Sequence, residues 1–454
     1  MINLRIGEKL RLEIVRLGIN GEGIAYYKKR LIFISYALPE ELVEVEIVEN
    51  QKNFSRAKLL KILKKSKHRV KAVDKSFSEL SSSHIMHLDY AEQLKYKVDL
   101  LRQAFNKYRP QNYNDYEIRP TLGMEDWRAY RNKLTYQIRQ LRNGQVIAGL
   151  YQENSHHLVS LTDCIVQEEL TQKIANEICQ LLVKYKIPVD DERKQRGIKT
   201  MVIRRSHLTG EVQIILISSI KQNFDRLIRQ LTEKFPEIVT VATNLHEKKS
   251  SEVYGNQTVI AWGQERIREG LLNYDFELSP RAFFQLNTKQ AEVLYSEVVK
   301  AVKPKRDDRV IDAYCGVGTI GFALAKKVKS VHGMDIVPES VADARENAAR
   351  LGFKNCHYEV GRAEKVITNM YKSGHKPSVV IVDPARTGLD QELLKTLVKY
   401  QPERLVYVSC NASTLAKDLV ALTKAYEVNY IQSVDMFPHT ARVEAVVSLR
   451  KKLK

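Results

Sequence analysis

The stretch 309–321, RVIDAYCGVGTIG, limits what this chain of 454 residues can fold into more than any other. Residues 309–311 begin a short apolar run that reads as a buried strand. Residues 315–319 turn sharply on two glycines, and 320–327 reads as a helix. Strand, glycine-rich turn and helix make the first βα unit of an open α/β sheet, where backbone N–H groups meet a nucleotide-like ligand. A Gly-x-Gly alone often marks only a turn that needs positive φ. Here a second strand, 330–334, follows and ends in Asp335, an acid placed to accept hydrogen bonds from two ribose hydroxyls. Asp312 stands just before the turn. A carboxylate there sits badly with a pyrophosphate and well with an ammonium group, so the reading is an S-adenosylmethionine site.

The chain is long enough for two or three domains. Its formal net charge of +19 favours a polyanionic partner, most simply a nucleic acid. Five scattered cysteines, an odd number, argue for a reducing cytoplasm rather than a disulfide framework. No apolar leader and no apolar run of membrane-spanning length is expected, and no protein partner is evident, so a monomer is the default.

Residues 4–62 alternate in short apolar stretches. Strands are expected at 10–15, 31–34, 42–47 and 53–63, with turns at 18–23 and 37–41, which together describe a small OB-type barrel. Lys28, Lys29, Arg30, Arg56 and the basic run 61–69 suit phosphates, and Tyr26 and Tyr27 suit base stacking. A solvated basic rim reads equally well for any one of them. Residues 66–90 read as a polar linker, and 91–108 as a helix with a stripe at Leu94, Val98, Leu101 and Phe105. Between 120 and 270, strands at 134–141, 148–152, 201–205 and 212–218 are expected in an antiparallel sheet, with helices at 171–185 and 224–235. Basic residues run through this part, among them Arg131 and Lys133, expected to contact substrate.

Four further segments fall where such an α/β sheet places its chemistry. SPRAFFQLN, 279–287, precedes a helix expected at 288–302; its paired Phe283 and Phe284 are candidates to cover an adenine or a target base. VVIVDPARTG, 379–388, is an apolar strand ending in Asp383, with Pro384 forcing a turn at the carboxyl edge, where ligands sit. LVYVSCN, 405–411, carries Cys410 after another apolar strand and ahead of a helix, where a thiolate is favoured. HTARVEAVV, 439–447, places Glu444 at the start of a terminal strand. Singly, each has a bland reading, such as a buried apolar cysteine. Their joint occurrence in this order does not.

FFQLN, DAYCGVGT, GMDI, DPARTG, SCN and HTARVE together resemble the RNA (uracil-5-)methyltransferase family. GINGEGIAYYKKRLIFI with ALPEELVEVEI is similar to the TRAM domain, an RNA-binding barrel. The likeness is greatest to the Gram-positive 23S ribosomal RNA branch. It implies a TRAM-like barrel at 1–64, a central mixed α/β RNA-recognition domain at 65–90 and 120–272, and a Rossmann-like methyltransferase domain at 91–119 and 273–454. It implies Cys410 as the nucleophile that adds to C6 of uracil, and Glu444 as the base that removes the C5 proton. Gln285, Tyr314, Thr319, Asp335 and Asp383 match the donor-binding positions. The implied product is 5-methyluridine in 23S rRNA.

One departure stands out. Most ribosomal members hold a [4Fe–4S] cluster on four cysteines. Aligned through IMHLDY, the first three positions here are Asp74, Leu80 and Ser83, and only Cys164 in LTDCIVQ remains. Cluster iron needs thiolates, so no cluster is expected, with oxygen ligation by Asp74 or Ser83 left open. Three competing readings are a tRNA enzyme of the same family, a retired RNA-binding relative, and a cytosine-C5 enzyme. The barrel and the chain length are expected to speak against the first. Intact Cys410 and Glu444 speak against the second, and the FFQLN and HTARVE segments against the third.

Overall fold

The computed structural model describes residues 4–74, 83–152, 155–190, 196–247 and 252–453. Near the N-terminus six strands pair in the order Lys9–Glu13, Leu42–Asn50, Phe54–Lys64, Arg30–Ile34, Gly23–Tyr27 and Arg16–Leu17. The period of two is plain in Leu42–Asn50, where Val43, Val45 and Ile47 are buried and the glutamates between them face outward. The chain bends between the first two strands. One half pairs with Leu42–Asn50 and the other with Gly23–Tyr27, so the sheet closes on itself. Leu17 and Leu38 at the barrel's end join the core around Leu100 and Leu101. This seats the barrel on the helix Tyr90–Tyr108, which Asp89 caps through the Ala91 N–H at 3.0 Å.

That helix differs instructively from its expected stripe. Its buried face includes Gln93 and Lys97 as well as Tyr96, Leu100, Leu101 and Phe105. Two fully buried polar side chains flank the expected apolar stripe. They are accommodated because each finds partners on the segment 435–439.

The central sheet has seven strands, in the order Leu158–Ser160, Val146–Tyr151, Lys133–Gln140, Ile198–Arg205, Val212–Ser218, Ile238–Leu245 and Gln257–Gly263. It is not wholly antiparallel as expected. Val212–Ser218 and Ile238–Leu245 run parallel because the helix Asp225–Lys234 crosses over between them. The helix Glu169–Lys184 packs on the same face.

The catalytic sheet has eight strands, in the order Cys356–Val360, Ser330–Asp335, Arg309–Ala313, Val379–Val382, Arg404–Ser409, Glu444–Lys451, Tyr426–Val434 and Ile118–Leu122. Its first five strands are parallel, and Glu444–Lys451 runs antiparallel between its neighbours. Successive residues alternate between two cores: Ile311, Val380 and Val382 face one, and Val310, Val379 and Ile381 the other. Helices cover both faces, the doubly wound arrangement that leaves a ligand crevice at the strands' carboxyl ends. The boundary expected between 119 and 120 falls inside the edge strand Ile118–Leu122, which pairs with Tyr426–Val434. The one expected after 272 falls at the turn of the hairpin Ile267–Leu271/Tyr274–Leu278, whose Ile267, Phe276 and Leu278 lie in the methyltransferase-fold core. Among the described residues, no helix is long and apolar enough to cross a membrane.

Candidate active site

The glycine-rich turn links Arg309–Ala313 to the helix Thr319–Ala325. Gly318 caps that helix at φ 87°, and a Cβ there would meet the Tyr358 hydroxyl at 2.7 Å, so only glycine fits. Tyr314 also holds positive φ, 64°, a strained backbone of the kind found at ligand clamps. Asp312 accepts the Gly321 N–H at 2.9 Å through Oδ2, while its buried Oδ1 has no hydrogen-bond partner. Asp335 accepts from Gly316 N–H at 3.1 Å and Val337 N–H at 2.9 Å. It thus pins the turn, and each oxygen keeps a lone pair for a ligand.

Gln285, Tyr314, Thr319 and Asp383 line one cavity together with Phe284 and Tyr295. Asp335 lines a second, which shares Tyr314 with the first and extends to Ile336 and Glu364. The two read as one trough along the strand ends. Its wall is acidic. Burial pushes Asp383 up to about 7, and burial with the nearby Asp383 and Asp335 carboxylates pushes Asp312 up to about 7. Asp383 and Asp335 line the trough and Asp312 lies wholly buried behind it; carboxylates so placed suit a ligand bearing positive charge and repel phosphates.

The register places Cys410 and Glu444. Ser409 pairs with Ala445 across Arg404–Ser409 and Glu444–Lys451, so Cys410 and Glu444 lie beside each other at the strand ends. Val382 pairs with Tyr407, which brings Asp383 to the same edge. Asn411 caps the helix Ala412–Leu422 through the Ser413 N–H at 3.0 Å, and its amide donates to the Arg386 carbonyl at 3.0 Å. The expected thiolate preference at this helix start is outweighed. Burial, then the Glu444 and Asp383 carboxylates, push the Cys410 thiol up to about 11, with Arg386 opposing. Burial and Asp383 push Glu444 up to about 8, with Arg386 and Lys97 opposing. A base of that strength is matched to proton abstraction near neutral pH.

The candidate substrate contacts separate. Phe283 is 60% exposed, with the Lys133 ammonium 5.9 Å from its ring centre. Burial and Arg204 lower Lys133 to about 7. Phe284 is sealed in the core against Phe276 and lines the cavity from within, so it offers no face to a base arriving from solvent. Arg131 is half-buried, its guanidinium 5.8 and 5.9 Å from the ring centres of Tyr130 and Phe437 and its Nε buried. Of the positions expected to have lost cluster ligands, Leu80 lies outside the described residues. Ser83 and Cys164 are buried, and the Asp74 carboxylate acts on the Cys164 thiol. Among the described residues, no group of three or more His, Cys, Asp or Glu side chains is arranged to hold a metal ion. Sequence reasoning gave no role to Arg386, although it lies in the DPARTG motif, nor to Lys97, for which an apolar period carries no signal.

Residues 89–452 match the family model for tRNA (uracil-5-)-methyltransferase, and residues 4–60 match that of the TRAM domain. The chain belongs to the RNA (uracil-5-)methyltransferase family. Its relatives in that family include an uncharacterized RNA methyltransferase of Lactococcus lactis, 60% identical over the whole of this chain and 93% of that one. Another, from Streptococcus pneumoniae, is 54% identical over the whole of both. Among solved structures, the Pyrococcus abyssi tRNA (uracil-54, C5)-methyltransferase in complex with S-adenosyl-L-homocysteine is 27% identical with a TM-score of 0.78, covering 97% of this chain and all of that one. The match spans the barrel, so an N-terminal barrel does not separate ribosomal RNA enzymes from tRNA enzymes of this uracil-5 methyltransferase family, contrary to expectation.

Proposed function

We propose that this family member methylates C5 of a uridine in 23S rRNA through a covalent adduct on Cys410. The observation that carries the reading is the placement of Cys410 and Glu444 side by side at the strand ends, next to Asp383 on the donor trough. C5 of uracil is a weak nucleophile. When the Cys410 thiolate bonds to C6, the ring becomes an enolate with electron density at C5. S-adenosylmethionine, held along Gln285, Tyr314, Thr319, Asp335 and Asp383, supplies the methyl group, and the unpartnered Asp312 oxygen suits its ammonium. Glu444 then takes the proton from C5, the electron pair re-forms the C5–C6 double bond, and the C6–S bond breaks to return the thiolate. Arg386 is the cation that favours both anionic forms. The uridine must leave its stack to reach Cys410. The exposed Phe283 is placed to stack on it, and the barrel's Tyr26, 51% exposed, on a neighbouring base.

The test is incubation of the protein with unmodified 23S rRNA and tRNA transcripts and methyl-labelled S-adenosylmethionine, followed by digestion to nucleosides. Label in 5-methyluridine from 23S rRNA, lost in Cys410→Ala, and a gel-stable RNA adduct in Glu444→Gln are expected. The full-length likeness to a tRNA enzyme favours a second reading, tRNA uridine methylation, which label confined to tRNA would establish. Binding of RNA without label on either would leave a retired methyltransferase.

A further inference from the structure

The helix Tyr90–Tyr108 carries a charge the reaction scheme does not yet use. Lys97 and Asp435 are both wholly buried, with Nζ 2.5 Å from Oδ1. Nζ also donates to the Phe437 carbonyl at 3.0 Å. Asp435 accepts in addition from the Tyr90 hydroxyl at 2.9 Å, and that hydroxyl accepts the Met124 N–H at 2.8 Å. Buried ion pairs contribute little net stability, because desolvation offsets the attraction, and hydrophobic replacements are often tolerated. The arrangement thus needs a reason other than stability.

Its position supplies one. Asp435 and Phe437 stand at the end of Tyr426–Val434, whose Val434 pairs with Glu444. Four charged or titratable groups act on the Glu444 site: Asp383 and Arg386 from the loop after Val379–Val382, Cys410 from the end of Arg404–Ser409, and Lys97 from the helix behind. Arg386 is exposed, so water and salt screen it. Lys97 is the cation of this set that no solvent reaches. Glu444, Asp383 and Arg386 are the charged groups that act most strongly on the Cys410 thiol, whereas Lys97 acts on Glu444.

We propose that Lys97 is a positioning residue for the base: a sealed ammonium, locked by Asp435 and the Phe437 carbonyl, whose field favours the ionised form of Glu444, the carboxylate that takes the C5 proton. The inference rests on the reading of Glu444 as that base. It assigns the helix Tyr90–Tyr108 a part in the second half of the reaction, release of the adduct, and none in its formation.

Two RNA probes separate the halves. With ordinary uridine, release requires removal of the C5 proton. With 5-fluorouridine no C5 proton exists and fluorine does not leave as a cation, so the adduct forms and stays whatever the base does. The full chain is used with 23S rRNA and tRNA transcripts of both kinds. The variant Lys97→Met/Asp435→Asn removes both charges and leaves neither buried ion alone. Lys97→Gln keeps N–H donors for Asp435 and Phe437 and removes the ammonium, and it makes the same test where the double variant does not fold. Each unit by which the Glu444 pKa rises when the ammonium is lost costs tenfold in its ionised fraction below that pKa. Both variants are thus expected to release the uridine adduct about tenfold more slowly at pH 7, with the pH midpoint of release moved to alkaline values. Adduct formation on the 5-fluorouridine transcript keeps its wild-type rate, and Lys97→Arg recovers most of the release rate. An unchanged release rate and midpoint in the folded variants, while Glu444→Gln does trap adduct, would overturn the role of Lys97 alone. If Glu444→Gln traps none, the base assignment falls and this inference falls with it.

Discussion

Gly318→Ala tests the geometry of the donor turn most directly. Two costs are readable at this position. The backbone sits at φ 87°, which an L side chain adopts at about 1–2 kcal/mol. The new methyl also meets the Tyr358 hydroxyl at 2.7 Å, its ring carbon at 2.8 Å and Phe322 at 3.0 Å. Overpacking of that kind adds about 1–3 kcal/mol. Gly316 in the same turn provides the contrast, since its φ is 53° and nothing lies within 4 Å of a built Cβ. Gly316→Ala is thus expected to cost about 1–2 kcal/mol, all of it backbone strain. Gly318→Ala should cost about 2–5 kcal/mol, the sum of both terms. Urea unfolding of the two variants, with Tyr358→Leu and the double variant Gly318→Ala/Tyr358→Leu, closes a cycle. The coupling between 318 and 358 isolates the clash and should be favourable by about 1–2 kcal/mol. Equal losses for both glycines, or zero coupling to Tyr358, would refute the argument that close approach, rather than φ alone, selects glycine at 318.

Asp312, Asp383 and Glu444 all bind protons more tightly folded than unfolded, so the stability they contribute is full below about pH 4 and is lost as pH rises to about 7–8. Asp383→Asn should therefore raise the melting temperature at pH 8 and leave it unchanged at pH 4, while abolishing methylation; a pH-independent effect would contradict burial as the cause. With the base pushed up to about 8 and the thiol to about 11, single-turnover methylation should rise steadily from pH 6 to pH 9, and a flat profile over that range would count against both assignments. In the barrel, Arg69 grips the fully buried Glu41 through two bonds of 2.6 and 2.8 Å, and Glu41 also accepts the Leu38 N–H at 2.9 Å. Glu41→Ala should cost about 3–5 kcal/mol in denaturant unfolding, because Arg69 loses its counter-ion.

Much of the catalytic half was legible because its chemistry sits on motifs with strong local grammar. The glycine turn, the aspartates ending apolar strands and Cys410 ahead of a capped helix each follow from a strand that stops and a backbone that turns. What escaped was decided by partners distant in sequence. Lys97 and Gln93 are polar side chains flanking their helix's apolar stripe, and partners on the segment 435–439 accommodate their burial. Ile118–Leu122, IRPTL, has no strand signature of its own and becomes a strand by pairing with Tyr426–Val434. Residue type marks Arg131 and Phe284 as candidate substrate contacts but says nothing of burial: Arg131 is half-buried beside two aromatic rings, and Phe284 is enclosed by the core. The thiol's environment escaped for the same reason: a helix start favours a thiolate locally, but burial, and then the carboxylates of Glu444 and Asp383, outweigh it.

The antiparallel strand Glu444–Lys451 is inserted between Arg404–Ser409 and Tyr426–Val434, both of which precede it in the chain. During synthesis those two strands leave the ribosome with a gap between them that only the following segment fills. The same segment delivers Glu444 to Cys410. On the proposed roles of Cys410 and Glu444, a nascent chain still lacking it would carry the nucleophile and the donor turn without the group that releases a captured uridine. On that reading, insertion of this strand completes the sheet and supplies the releasing group in one event.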